Sequence, residues 1–222
     1  MTTDSSSHEV AGYFYIGCLR YNKNLEIEPW AAKSYEVLND GRLLRFILRE
    51  GIFWEDGVEL TAADVEFTYK LMIEHTTPTA YAEDFLAVKS FRVTGKYSFE
   101  VEYEKPFARA LMSWMQDILP EHLLKGVHGT DLLASPLMRK PLSAGPYKLK
   151  EWVPGSRLVF EANPRYFDGP PYIKTVVYRI IPDMATSFLE LKAGNLDMLN
   201  LTPQQYDRQT SGEKWERDWA KY

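Results

Sequence analysis

Residues 141–201, PLSAGPYKLKEWVPGSRLVFEANPRYFDGPPYIKTVVYRIIPDMATSFLELKAGNLDMLNL, decide the fold. Three punctuated pieces follow one another there: Ala144-Gly145-Pro146-Tyr147, Asn163-Pro164-Arg165-Tyr166-Phe167 and Leu191-Lys192-Ala193-Gly194-Asn195-Leu196-Asp197. Between the first two, 148–152 and 158–161 flank Pro154-Gly155, the spacing of a β-hairpin. Residues 175–181 are β-rich and apolar on both faces, which predicts a buried strand. Asp183 stands where an N-cap belongs, ahead of Met184, Phe188 and Leu191 on one helical face, and Gly194 stops the helix. Thr202-Pro203-Gln204-Gln205 reads as a capping box with proline at the first helical position. None of these pieces carries a nucleophile, a metal cluster or a phosphate loop, so the stretch reads as scaffold for recognition.

Toward the N-terminus the signals continue. Residues 1–8 are polar and expected to be loose. Residues 10–19 (VAGYFYIGCL) are nearly all apolar, and periodicity leaves helix and strand both open. Residues 43–49 predict a strand, and Asp56-Gly57 a turn. Thr61 and Asp64 form an acidic variant of the capping box, opening a helix with Val65, Tyr69, Met72 and Ile73 on one face. Residues 86–103 alternate as a hairpin around Gly95-Lys96. Phe107, Leu111, Trp114, Met115 and Ile118 give a helical stripe that Pro120 ends. Residues 126–140 read as an irregular connection. Trp215, Trp219 and Tyr222 share a helical face at the end. Strands and helices mix without strict alternation, so the fold class is mixed α/β: one unit over 1–222, with a β-rich subregion at about 86–180.

Composition narrows the function classes. At 222 residues with 45% hydrophobic content, the chain can bury a sizeable core. Aromatics make up 14%, which fits either a well-filled core or a groove lined by Tyr and Trp. A net charge of −5 argues against nonspecific nucleic-acid binding, which needs a basic footprint. Cys18 is the only cysteine, so neither an internal disulfide nor a Cys-based zinc site can form, and its apolar surroundings predict an inert thiol. His8, His75, His122 and His128 show no metal-ligand spacing on one element. Ser143 lacks a nucleophile-elbow context. Turn and capping roles account for the carboxylate pairs Glu55-Asp56 and Asp64/Glu66. No apolar run reaches membrane-spanning length, and the first residues carry no signal-peptide pattern, which fits a cytosolic protein or a trimmed piece of an exported one. By elimination, binding without cofactor or metal leads over catalysis.

Several segments, in order and with matching spacing, carry a resemblance over about residues 9–203. Tyr15-Ile16-Gly17-Cys18-Leu19-Arg20-Tyr21-Asn22 resembles a Tyr-Glu-Gly-Leu-x-x-Tyr-Asp piece, and Pro29-Trp30-Ala31-Ala32-Lys33-Ser34-Tyr35-Glu36 resembles Pro-x-Leu-Ala-x-Ser-Trp-Glu. Residues 46–51, then Phe53-Trp54-Glu55-Asp56-Gly57 and Thr61-Ala62-Ala63-Asp64-Val65, resemble a Leu-Arg-x-Gly-Val-x-Phe-x-Asp-Gly signature with its following helix. The 141–201 pieces match Gly-Thr-Gly-Pro-Tyr, Asn-Pro-x-Tyr-Trp and Gly-x-x-Asp. Together they resemble the solute-binding proteins of ABC importers, family 5, the group of oligopeptide-, dipeptide- and nickel-binding receptors. Ile16, Ala144 and Phe167 depart from the pattern, standing where the family has an acidic residue, Thr and Trp.

The resemblance implies a periplasmic-binding-protein-like class II fold whose two lobes close on ligand. It implies that this chain is the N-terminal lobe, with the C-terminal lobe missing. It implies an extracytoplasmic or periplasmic receptor, a lipid anchor being one form of attachment, that captures a peptide-like or other small solute and delivers it to an ABC permease without chemistry. The ligand-binding positions it implies are Thr3, Asp4, Ser5 and Ser6, where extended backbone would pair with a peptide as an added strand, together with Tyr81 and Asn200. No catalytic or metal residue and no nucleic-acid partner are implied. A hydrolase acting on peptides or glycans, or a non-transport sensor on the same fold, is the alternative.

Overall fold

A computed structural model describes residues 5–210 and Trp215. The chain divides into two compact units, one of 1–152 with 158–178, the other of 153–157 with 179–222.

The first unit opens with α1 (Ser5–Ala11). Residues 1–8 were expected to be loose, yet the helix begins at Ser5. Tertiary packing explains it: Val10 lies against a cluster built on Phe14, Leu158 and Phe160, which gives a short helix the apolar contact that propensity alone would not supply. Residues 10–19 were expected to be a helix or a strand, but α1 ends at Ala11, β1 (Leu19–Tyr21) begins only at Leu19, and 12–18 form a turn and irregular backbone between them. β1 pairs antiparallel with β2 (Ile27–Pro29).

β3 (Ala32–Leu38) and β4 (Leu43–Leu48) start a four-stranded antiparallel sheet, completed by the hairpin of β5 (Val88–Gly95) and β6 (Ser98–Tyr103) in the order β3-β4-β6-β5. Strand alternation sends Leu44, Phe46 and Leu48 inward from β4, and Phe99, Val101 and Tyr103 inward from β6. Phe46 and Phe99 stack across that pair at 4.8 Å, and Phe91 and Trp114 extend the aromatic layer. The outer face carries a charge ladder, with Arg45 between Glu36 and Glu100 and with Lys89 on Glu102. Solvent-exposed pairs of this kind contribute little each, so the inner face dominates the sheet's stability.

α2 (Ala62–Ile73) packs on the core through Val65 and Met72. Its start is a full capping box: Thr61 accepts from the Ala63 amide, and the Asp64 carboxylate accepts from the Thr61 amide at 2.8 Å. Asp64 is itself buried, and its second oxygen accepts from the Glu121 amide at 3.0 Å. Burial raises its pKa although both amides oppose that shift. One carboxylate thus caps α2 and anchors the segment around 121.

α3 (Ala82–Leu86) precedes β5. The stripe from Phe107 to Ile118 was expected to be one helix, but only α4 (Ala110–Ser113) forms. The Leu19 amide donates to the Trp114 carbonyl and the Ile118 amide to the Ile16 carbonyl, so partners from the 16–19 segment replace the helical ones. Gly17 permits this approach. A Cβ there would collide with the Met115 carbonyl, although its backbone is unremarkable in φ. α5 (Glu121–Leu124) and two short 3₁₀ turns, Gly129–Ala134 and Pro136–Met138, make up the irregular connection.

β7 (Tyr147–Val153), β8 (Arg157–Ala162) and β9 (Thr175–Arg179) form a three-stranded sheet in that order. β9 was expected to be buried on both faces; instead Val177 is exposed and only Val176 and Tyr178 pack, on the Phe14–Phe160 cluster. β9 is an edge strand with one covered face, a position that an apolar run does not reveal. The strands of the 86–180 region fall in two different sheets, one of them shared with β3 and β4.

The AGPY and NPRYF pieces interlock. Three donors converge on the Phe14 carbonyl: the Ala144 amide at 3.0 Å, the Gly145 amide at 2.7 Å and the Ser143 hydroxyl at 3.0 Å. Asn163 donates its side-chain amide to the Gly145 carbonyl and its backbone amide to Pro146, while its Oδ1 accepts from the Arg165 amide. The Tyr166 hydroxyl then accepts from the Trp30 indole at 2.7 Å.

The second unit holds α6 (Met184–Lys192) and α7 (Pro203–Gln209). Asp183 caps α6 through the Thr186 amide, and Thr202 with Gln205 forms the capping box of α7. The Gln205 side chain also donates to the Met184 carbonyl, joining the two helices at their starts. Trp215 stacks on Phe188, while Trp219 and Tyr222 lie outside the described residues. Among the described residues no helix is long and apolar enough to cross a membrane.

Two substitutions test this frame by urea unfolding. Gly17→Ala should cost about 2–3 kcal/mol, because the added methyl must push the Met115 backbone away. Asp64→Ala should cost about 2 kcal/mol, because it strands the buried amides of Thr61 and Glu121. An unchanged midpoint for either would remove the constraint assigned to that residue.

Candidate functional site

A polar and aromatic wall forms in the first unit from four side chains on separate segments. His8 projects from the second turn of α1. Its ring lies 6.1 Å, centroid to centroid, from that of Tyr81, the residue that precedes α3. Tyr81 is 37% exposed, and its amide is tied to the Thr79 hydroxyl, which fixes the start of the helix. Its ring is therefore positioned and available at once.

Tyr15 and Asp117 complete the wall. Gln116 and Ile118 both turn inward, lining a small apolar void with Cys18 and Trp114. Asp117 lies between them in the chain, and its charge interacts with His8 and Tyr15. Burial pushes the Asp117 carboxyl up to about 6, and the nearby positive charge of His8 opposes that rise only in part. Burial, then the Asp117 charge, pushes the Tyr15 hydroxyl up as well, so Tyr15 stays a neutral donor at every physiological pH.

The positions implied by the resemblance fare differently. Thr3 and Asp4 lie outside the described residues. Ser5 opens α1 and Ser6 follows within it, so the added-strand pairing expected of extended backbone is not available to them: their backbone is helical. The same helix carries His8 to Tyr81. Asn200 is an exposed residue between α6 and α7 in the second unit. His8 and Asp117 were not singled out in the sequence. A helical reading of 107–118 hid Asp117 inside an apolar stripe, and a lone acid in such a stripe was the one available signal.

The groups with catalytic potential are committed elsewhere. Ser143 is fully buried, with its hydroxyl held between the Phe14 and Tyr147 carbonyls while accepting from the Gly145 amide. Cys18 is buried, and burial pushes its thiol far above the reactive range. His122 pairs with Asp56 at 2.8 Å, holding that carboxyl below its usual range although partial burial works the other way. Among the described residues no group of three or more His, Cys, Asp or Glu side chains could hold a metal ion.

A raised carboxylate pKa has a defined consequence for stability. Asp117 is neutral in the folded state below about 6 and charged above it, so burial costs nothing near pH 4 and its full penalty by pH 7.5. Wild-type protein should therefore lose stability as pH rises from about 4 to about 6 and level off above that. Asp117→Asn should match wild type near pH 4 and exceed it by on the order of 2 kcal/mol at pH 7.5. Paired urea titrations at the two pH values measure this, and equal differences at both would disprove the burial.

The family model for bacterial extracellular solute-binding proteins, family 5, matches residues 26–220. The oligopeptide-binding protein AppA of Bacillus subtilis is 32% identical over 210 residues, 92% of this chain and 38% of that protein. Protein XP55 of Streptomyces lividans is 34% identical over 192 residues, 85% of this chain and 34% of that protein. The structure of Bacillus subtilis AppA in complex with a nonapeptide superimposes on 95% of this chain and 42% of its own, with a TM-score of 0.86 and 29% identity. That of Campylobacter jejuni NikZ in complex with Ni(L-His) covers 90% of this chain and 41% of its own, with a TM-score of 0.80 and 25% identity. The chain thus spans about two fifths of the length of these relatives, and it belongs to the family 5 bacterial extracellular solute-binding proteins.

Proposed function

We propose that the protein is an extracytoplasmic receptor of an ABC importer, capturing a peptide-like solute and delivering it to a membrane permease without chemistry. The observation that carries this reading is the superposition of nearly the whole chain on a relative that holds a nonapeptide. The wall is consistent with that use. Tyr81 offers a ring for a ligand side chain and a hydroxyl for its backbone, and rigid aromatics give contact area at small entropic cost. Thr3, Asp4, Ser5, Ser6 and Asn200 remain the other ligand contacts of this reading. Because Ser5 and Ser6 are helical, they would not contribute as an added strand. A periplasmic or otherwise extracytoplasmic location, with or without a lipid anchor, follows from the receptor role. The commitment of Ser143 and Cys18 to the interior supports binding over hydrolysis.

Titration calorimetry of the complete protein against peptides of three to nine residues should give saturable heat, and mass spectrometry should recover the peptides uncleaved. Tyr81→Ala should weaken binding by roughly tenfold, the loss of about one well-packed aromatic contact. Catalytic turnover of the peptides would overturn the receptor reading. An unchanged affinity in Tyr81→Ala would remove that residue from the site.

A further inference from the structure

We propose that the cleft bordered by Lys33, Ile47, Arg49, Glu50, Tyr97 and Phe167 binds a small carboxylic acid that carries an apolar ring. The cleft shares no residue with the wall around Tyr81, and the proposal does not depend on the receptor reading. It lies wholly within the first unit and offers about 450 Å³, within the range of small-molecule sites, roughly 300–1,000 Å³.

Three features fit it for that occupant. The first is a pair of cations set by the backbone. In the β3–β4 ladder Ala32 pairs with Leu48 and Ser34 with Ile47, so Lys33 is the extra residue of a β-bulge on an edge strand of the sheet. A bulge leaves its residue out of the ladder and re-aims the side chain, here to the cleft. Arg49 is fixed from two sides. Its amide donates to the Ala31 carbonyl and its Nε to the Trp30 carbonyl, both at 2.9 Å. Its guanidinium also lies 5.8 Å from the centroid of the Phe167 ring. The two terminal nitrogens are spaced to fork a carboxylate. Among the described residues the ion pairs of the neighbouring strands, Arg45 with Glu36 and Glu100 and Lys96 with Glu59, include neither Lys33 nor Arg49.

The second feature is the balance of charge. Glu59 is already engaged, accepting from the Gly51 amide at 2.9 Å and from the Tyr97 hydroxyl and the Lys96 ammonium at 2.8 Å. Glu50, which is exposed, is the acidic side chain among the lining residues. Two cations against one anion leave a single positive excess, which suits a monoanion better than a phosphate or a dicarboxylate. The third feature is the apolar side. Phe167 stands where the family pattern has Trp, and a phenyl ring takes up less of this space than an indole would. A ligand ring can use the difference, lying against Phe167 and Tyr97. A metal cation is repelled by both basic side chains, and a bare anion leaves the ring faces uncovered.

Ligand-detected NMR titration of the complete protein at pH 7.5 tests this with three probes. Phenylacetate carries ring and charge, phenylacetamide the ring alone, and acetate the charge alone. Phenylacetate should bind roughly tenfold tighter than either of the others, the worth of one charge-assisted hydrogen bond or one ring contact. Lys33→Gln should weaken phenylacetate by roughly tenfold and leave phenylacetamide within about twofold. Lys33 is exposed, so this variant should keep the wild-type urea midpoint and the test does not hinge on folding. Phe167→Trp should fill the cleft and weaken both ring-bearing probes by roughly tenfold, with acetate unchanged. Equal affinity for phenylacetate and phenylacetamide, or wild-type affinity for phenylacetate in either folded variant, overturns the proposal and leaves the receptor reading standing.

Discussion

The carbonyl oxygen of Phe14 is the point on which the rest of the first unit depends. A residue near the start of the chain receives the amides of Ala144 and Gly145 and the hydroxyl of Ser143, more than a hundred residues away. This convergence closes a loop of more than a hundred residues and sets the three-stranded sheet against the segment that follows α1. Gly145 is required because any side chain there would run into the Phe14 and Tyr13 carbonyls. Asn163 then holds the AGPY turn from the other side, through the Gly145 carbonyl. The result is a knot of backbone groups satisfied away from water, where an unmade hydrogen bond is expensive.

The same logic of close backbone approach operates at Gly17. Its missing side chain lets the 16–19 segment exchange hydrogen bonds with residues 114 and 118. That exchange replaces the helical hydrogen bonds expected over this stripe. Local helical preference and tertiary pairing compete here, and pairing wins because the buried amides have partners only in the unwound form.

Punctuation was the most legible part of the sequence. Capping boxes at Thr61 and Thr202, the Asp183 cap, the two hairpins and the Gly194 stop all stand where the residues put them, because caps and turns are decided by neighbours in the chain. The family was legible for a related reason, since its pattern is mostly such punctuation in fixed order. What escaped the sequence depends on distant partners: the helical turn at Ser5, held by Val10 on another element's cluster; the half-covered edge strand at Val177; the broken stripe at Trp114. The wall escaped for the same reason. His8, Tyr81 and Asp117 are separated by long stretches of chain, and no spacing rule connects them.

The burial of Cys18 gives the molecule an internal clock. It is the sole thiol of the chain, shielded inside the core beside Trp114, with a pKa far too high to react where it stands. Alkylating reagents can reach it only when the 16–19 segment parts from its partners. The rate of its modification therefore counts openings of the strap between residues 16–19 and residues 114–118.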